Sequence, residues 1–239
     1  MSGYRDVFVA TAATVAMLSG CASGGLPSFG AEMGMKSVMG KEVRAPYTSV
    51  ASYYGFVEPG AKPDAVVDGK NFYYLYLWIP AVAPELGVRM MSPVPADVTP
   101  EEGDFKAASW DSAGANDAKT AKNYFDTYIT FERHATILTP EAVSSGTRKI
   151  AEASQWMTLE SNDDTSELPT QPSGSAYNSL LRVTDATKLL RGLYRIGFTT
   201  YKVGDVQGTF VAQVGAPVKL PGVVIDKTID GLLAKMNGG

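Results

Sequence analysis

The stretch NFYYLYLWIP, Asn71 to Pro80, decides how this chain is read. From Phe72 to Ile79 every position is aromatic or aliphatic, at both phases of a two-residue period. A strand with one wet face alternates apolar and polar residues, whereas one without alternation is covered on both faces. Aromatic side chains also favour the pleated strand. The segment reads as a central strand between two layers, ended by Pro80 and Pro84, which lack the N–H that a ladder needs.

The flanks support a chain built of strands. Patterning begins upstream at YTSVASYYGFV, Tyr47 to Val57, and PGAKPDAVVDGK then supplies turn residues at Pro59-Gly60, Pro63-Asp64 and Asp68-Gly69. Downstream, ELGVRMMSPVP is a second strand that ends in prolines, and Ala96 to Lys122 is a long polar excursion carrying short pieces of structure. NYFDTYITFERHATIL places Phe125, Ile129, Phe131, Ala135 and Ile137 on one face, and Asp126, Tyr128, Thr130, Glu132 and His134 on a polar one. That pattern predicts a strand with one face in the core and gives His134 a surface or hydrogen-bonded place. In TPEAV, Thr139 is the N-cap and Pro140 the first residue of a short helix.

AYNSLLRV is a strand, and RGLYRIGFTTYKVGDVQGTFVAQVG reads as a hairpin turning at Gly204-Asp205. IDKTIDGLLAKM spaces Ile225, Ile229, Leu232, Leu233 and Met236 along one side of a C-terminal helix. Tyr73, Tyr74, Tyr76 and Trp78 read as core rather than as a ligand platform, and Met90-Met91 as packing. Many strands, long loops and few helices make the fold mainly β, a β-sandwich with a few peripheral helices.

Composition narrows the chemistry. The chain has 239 residues, a formal net charge of -4, 45% hydrophobic and 19% charged residues, one histidine and one cysteine. The acidic balance argues against nucleic-acid binding. With only His134 and Cys21, no Cys/His zinc cluster and no intrachain disulfide can form. No G-x-S-x-G elbow or phosphate-binding glycine motif is present. A hydrolase with Asp126 and Glu132 as paired carboxylates would need them about 5 to 9.5 Å apart, but six positions of strand separate them by roughly 20 Å. No enzymatic role is expected.

The N-terminus reads as a signal. Arg5 precedes an apolar run from Val7 to Leu18, which is short for a membrane span, and LSGC follows at Leu18 to Cys21. Leu, two small residues and Cys resemble a bacterial lipobox. Residues 1–20 are therefore the expected lipoprotein signal peptide, residues 21–45 a tether lipidated at Cys21, and residues 46–239 the folded domain. Ala22 after the Cys, in place of Asp, resembles the enterobacterial sorting signal for the outer membrane, which is the expected location.

Several blocks together resemble one family. YYGFVEPGAKPDAVVDG, YYLYLWIPAVAPELGVRMMSP, FDTYITFER, AYNSLLRV and RGLYRIGFTTYKVGDVQGTFVAQVG are similar to the major outer-membrane lipoprotein of pathogenic leptospires and its relatives. The resemblance implies a jelly-roll sandwich at the cell surface that binds calcium and adheres to matrix proteins such as collagen, laminin and fibronectin. It implies calcium ligands at Asp126 and Thr127, at Asp163 and Asp164, and at the Tyr177 carbonyl. The acidic stretch TLESNDDTSELPT departs from the family's longer Asp run, with Glu160, Ser161 and Asn162 standing in part of it. Glu160 and Glu167 are expected to stand by or to add charge around the site without touching the ion.

The calcium expectation makes a physical demand. Calcium takes six to eight oxygen ligands, so two adjacent Asp cannot surround it and FDTY must come to meet them. Successive side chains of a regular strand point to opposite faces. Either the strand is irregular at Asp126, or Thr127 offers its main-chain oxygen. A glycan-binding jelly roll, or an envelope protein with a structural role only, is the alternative.

Overall fold

The computed structural model describes residues 35–38, 41–44, 47–163 and 177–238. The expected signal peptide, Cys21 and Asp164 lie outside the described residues. Strands β1 (Met35–Val38) and β2 (Lys41–Arg44) form a two-stranded antiparallel sheet. The rest comprises β3 (Thr48–Val57), β4 (Ala65–Val67), β5 (Lys70–Val82), β6 (Leu86–Ser92), β7 (Phe105–Lys106), β8 (Thr127–His134), β9 (Trp156–Asn162), β10 (Tyr177–Val183), β11 (Leu190–Thr200), β12 (Gly208–Ala216) and β13 (Val224–Asp226). One sheet has the order β10-β6-β12-β3-β7, the other β13-β5-β11-β8-β9 with β4 also on β5. The molecule is the expected mainly β sandwich.

The core follows from β5, which is flanked by β11 on one side and by β4 and β13 on the other. Tyr73, Leu75, Leu77 and Ile79 point between the sheets, where they meet Tyr53, Phe131, Phe198 and Phe210. Its opposite phase is covered too. Trp78 packs with Ile137, Val143, Ile150, Leu193 and Leu232, beneath the short helices α2 and α3 and the C-terminal α4 named below. The excursion after β6 folds over the other sheet, setting Val94, Val98, Trp110 and Ala118 against Tyr54, Met91 and Val211. It contains helix α1 (Ala115–Ala118). The aromatic run and the Met90-Met91 pair are core, as read.

Local signals explain the helices. Thr139 caps α2 (Pro140–Ser145) by accepting from the Ala142 N–H at 3.2 Å, and α3 (Thr147–Ile150) follows. Thr228 caps α4 (Ile229–Met236) by accepting from Gly231 N–H at 3.0 Å. Ile225 lies in β13, ahead of that helix. Asp68 and Gly69 take φ of 51° and 76°, the pair of left-handed residues that a two-residue hairpin turn requires between β4 and β5.

Three expectations fail for identifiable reasons. Pro80 does not end β5. The ladder to β11 shifts register between Ile79/Gly192 and Val82/Leu190, so Pro80 falls at an irregular step where no N–H is needed. RGLYRIGFTTYKVGDVQGTFVAQVG is not a hairpin: β11 pairs with β5 and β8, whereas β12 pairs with β3 and β6 in the opposite sheet. Residues 201–207 therefore cross between layers, which lie about 10 Å apart in a sandwich.

The polar face of β8 is not wet either. Thr130, Glu132 and His134 are buried, because Trp156 of β9 and the helical segment after β8 close over them. Nδ1 of His134 accepts the N–H groups of Thr136 and Ile137, both at 3.2 Å, and Nε2 lies 3.2 Å from the Lys149 carbonyl. An Nδ1 that accepts two N–H groups carries no proton, so the ring is neutral with its proton on Nε2. Burial pushes its pKa below the ordinary value, against the smaller upward pull of the Lys149 carbonyl. Protonation is then easier in the unfolded chain. The stabilising contribution is complete above about pH 6.5 and is lost as pH falls below that value. A His134→Gln variant should be less stable by about 1–3 kcal/mol at neutral pH. Its melting temperature should also drop less than the wild type's between about pH 7 and pH 5.

Candidate functional site

Of the expected calcium ligands, Asp126, Thr127, Asp163 and Tyr177 are described, and they stand at the start of β8, just after β9 and at the start of β10. Asp126 lies just outside β8, which starts at Thr127. The Asp126 carbonyl accepts the N–H of Tyr201 at 2.8 Å, which ties the segment to the connection after β11. Phe125 N–H donates to Ser92 Oγ at 3.1 Å, and Ser92 Oγ donates to the Thr209 carbonyl at 2.7 Å. The residues before β8 are thus pinned to both sheets.

Thr127 is fully buried. Its Oγ1 lies 2.7 Å from Ser179 Oγ, and Ser179 Oγ donates to the Thr127 carbonyl, also at 2.7 Å. Ser179 has one proton, so Thr127 Oγ1 is the donor in the first contact. The two hydroxyls join β8 of one sheet to β10 of the other. Tyr177 begins β10 two residues before Ser179, and its backbone pairs with Ser92, the same residue that holds Phe125. On the other side, β9 runs against β8 as far as Asn162 opposite Ile129. Asp163 follows directly and is exposed.

The β8–β9 ladder ends with Asn162 opposite Ile129, so Asp163 stands alongside the start of β8, near Asp126. The Asp126 carboxyl is held above the usual carboxylate range first by burial and next by the negative charge of Asp163, with Lys202 and Lys70 acting in the opposite sense. Two carboxylates that repel each other are stabilised by a cation between them. The donors are all oxygen, which suits calcium and not zinc. Among the described residues no three His, Cys, Asp or Glu side chains gather into a metal-holding group; Asp126 and Asp163 are two, and Asp164 lies outside. Glu160 pairs with Lys188.

Beside Asp126 a depression of about 400 Å³ is lined by Tyr124, Thr200, Lys202, Asp205 and Gln207. Ser92, Ser179 and Lys202 shape this end of the fold, yet nothing in their local sequence marks them. Their roles arise from contacts with residues as far as 117 positions away in the chain. No helix among the described residues is long and apolar enough to cross a membrane.

Residues 41–225 match the Lipl32 family, described as surface lipoprotein of the Spirochaetales order. No curated protein matches the chain.

Proposed function

Because the chain belongs to this family of spirochaetal surface lipoproteins, we propose that it is a lipid-anchored outer-membrane protein that binds Ca²⁺ through Asp126, Thr127, Asp163, Asp164 and the Tyr177 carbonyl. One observation supports the calcium reading: the β8–β9 ladder ends with Asn162 opposite Ile129, which sets Asp163 alongside the start of β8 and near Asp126, 37 positions away in sequence. The bond from Ser179 to Thr127 brings the start of β10 to the same place. Its ligands would come from segments flanking β8, β9 and β10, so the ion would staple the two sheets where they part.

An ion that binds only the folded state raises stability by about 2.7 kcal/mol at a hundredfold excess over Kd. Millimolar Ca²⁺ should therefore raise the melting temperature of the chelator-treated mature chain. Asp126→Asn and Asp163→Asn should each abolish the rise. An equal rise in both variants would remove these residues from the site.

The anchor rests on the short apolar run ending at LSGC. A multiply acylated Cys21 would hold the protein stably, since a single chain gives only marginal binding. Cys21→Ala should move the protein from the membrane fraction to the soluble fraction. Retention in the membrane would contradict the anchor.

A further inference from the structure

The end of the sandwich that carries Asp126 also carries Val66 and Val203, which at 63% and 61% exposed are the most exposed large hydrophobic residues described. Val66 and Val67 lie in β4, beside the Asp68-Gly69 turn, and Val203 and Tyr201 lie in the connection between β11 and β12. The two turns touch: a Cβ on Gly69 would sit 2.9 Å from Val203 Cγ1. Lys70 Nζ lies 4.9 Å from the ring centre of Tyr128 and 5.4 Å from that of Tyr201. Tyr201 N–H in turn binds the Asp126 carbonyl, so this tip is continuous with the candidate cation site. The polypeptide enters the sandwich at the opposite end, since Thr48 pairs with Ala216 and Val57 with Gly208.

We propose that this tip docks on an anionic lipid surface when Ca²⁺ is bound, with Val66, Val67 and Val203 entering the interface and Lys70 and Lys202 meeting phosphates. The inference rests on the calcium reading above. Shape favours a bilayer over a protein. A stable protein interface buries about 800 Å² on each partner, and two adjoining turns present only a few side chains. A bilayer interface accepts such a tip: aliphatic ends enter, tyrosine rings settle at headgroup level, and lysine stems reach the phosphates.

Charge makes the docking conditional. Asp126 and Asp205 line one depression with Lys202, and their negative charge opposes an anionic surface. A bound divalent cation removes two negative charges and lets the lysines act.

The test uses the mature chain from residue 21 carrying Cys21→Ala, so that no acyl chain contributes. Vesicles of phosphatidylcholine alone, or with phosphatidylglycerol, are sedimented with Ca²⁺ or with chelator, and Ca²⁺ binding is measured in parallel by calorimetry without lipid. The protein should sediment only with the anionic vesicles and only in Ca²⁺. The doubly exposed variant Val66→Ser/Val203→Ser should lose about tenfold of that binding while its Ca²⁺ heat and melting temperature are unchanged. Ca²⁺ heat without sedimentation, or sedimentation unaffected by the variant or by chelator, overturns the docking and leaves the calcium reading standing. Absence of Ca²⁺ heat overturns both. Loss of collagen, laminin or fibronectin capture in the same variant, with vesicle binding absent, assigns the tip to a protein instead.

Discussion

Replacing Phe210 with Ala should cost about 3–5 kcal/mol of stability, the range for deleting a buried aromatic ring. The residue is fully buried in β12, at the middle of its sheet. Its ring lies 5.7 Å from Tyr53, 5.5 Å from Tyr73, 6.2 Å from Phe125 and 6.3 Å from Phe198, centre to centre. It thereby joins β3, β5, β11 and the segment before β8 across both layers. The ring is accommodated because its cross-strand partner is Gly55, where a Cβ would approach it to 2.3 Å. Contact with Phe125 links this cluster to Asp126, so the variant should also bind Ca²⁺ more weakly. Urea unfolding reads the first effect, and a change under about 1 kcal/mol would mean that neighbouring rings refill the space.

The second large effect is expected on the outer side of the same sandwich. Arg195 and Glu132 are cross-strand partners of β11 and β8, and both are largely buried. Arg195 places Nη2 and Nε on Glu132 Oε2 at 2.6 and 2.7 Å, and Thr130 donates to Oε1 at 2.9 Å. The guanidinium also lies 4.3 Å from the ring centres of both Tyr74 and Trp156. Removing one partner of a buried pair strands the other charge, at a cost of about 3–5 kcal/mol. Arg195→Met should show that loss. Arg195→Lys should recover little of it, since an ammonium cannot stack as a flat guanidinium does. Adding Glu132→Gln to Arg195→Met should restore part of the stability, because no unpaired carboxylate then remains. A double variant as unstable as the sum of its singles would show that the two side chains act independently.

Some of this fold is legible in the sequence and some is not, and the difference is one of range. An apolar pattern at both phases marks Asn71 to Pro80 as covered on both faces, because burial acts on each residue singly. Thr139-Pro140 marks a helix start through contacts three residues long. Which sheet a strand joins is decided by partners far along the chain. RGLYRIGFTTYKVGDVQGTFVAQVG accordingly has the punctuation of a hairpin and the topology of a crossing between layers. The polar phase of β8 misleads for a related reason. Glu132 and His134 look solvated locally, but Arg195 and the backbone around Lys149 satisfy them when they are buried.

The candidate site divides in the same way. Asp126 and Asp163 stand out through family resemblance, and the β8–β9 pairing brings their two segments to the same end of the sandwich. Ser92 and Ser179, which bring those segments together, look like ordinary strand residues. Only the folded chain shows that their hydroxyls bridge β6 and β10 to the residues around the start of β8.

The most direct test is calorimetric titration of Ca²⁺ into the chelator-treated mature chain, beside Asp126→Asn. One ion should bind per chain with measurable heat, and the heat should vanish in the variant. Affinity should weaken as pH falls toward the raised pKa of Asp126, since protons then compete for its carboxylate. No heat from the wild type, or the same heat from Asp126→Asn, would contradict a calcium site at the meeting of FDTY and NDD.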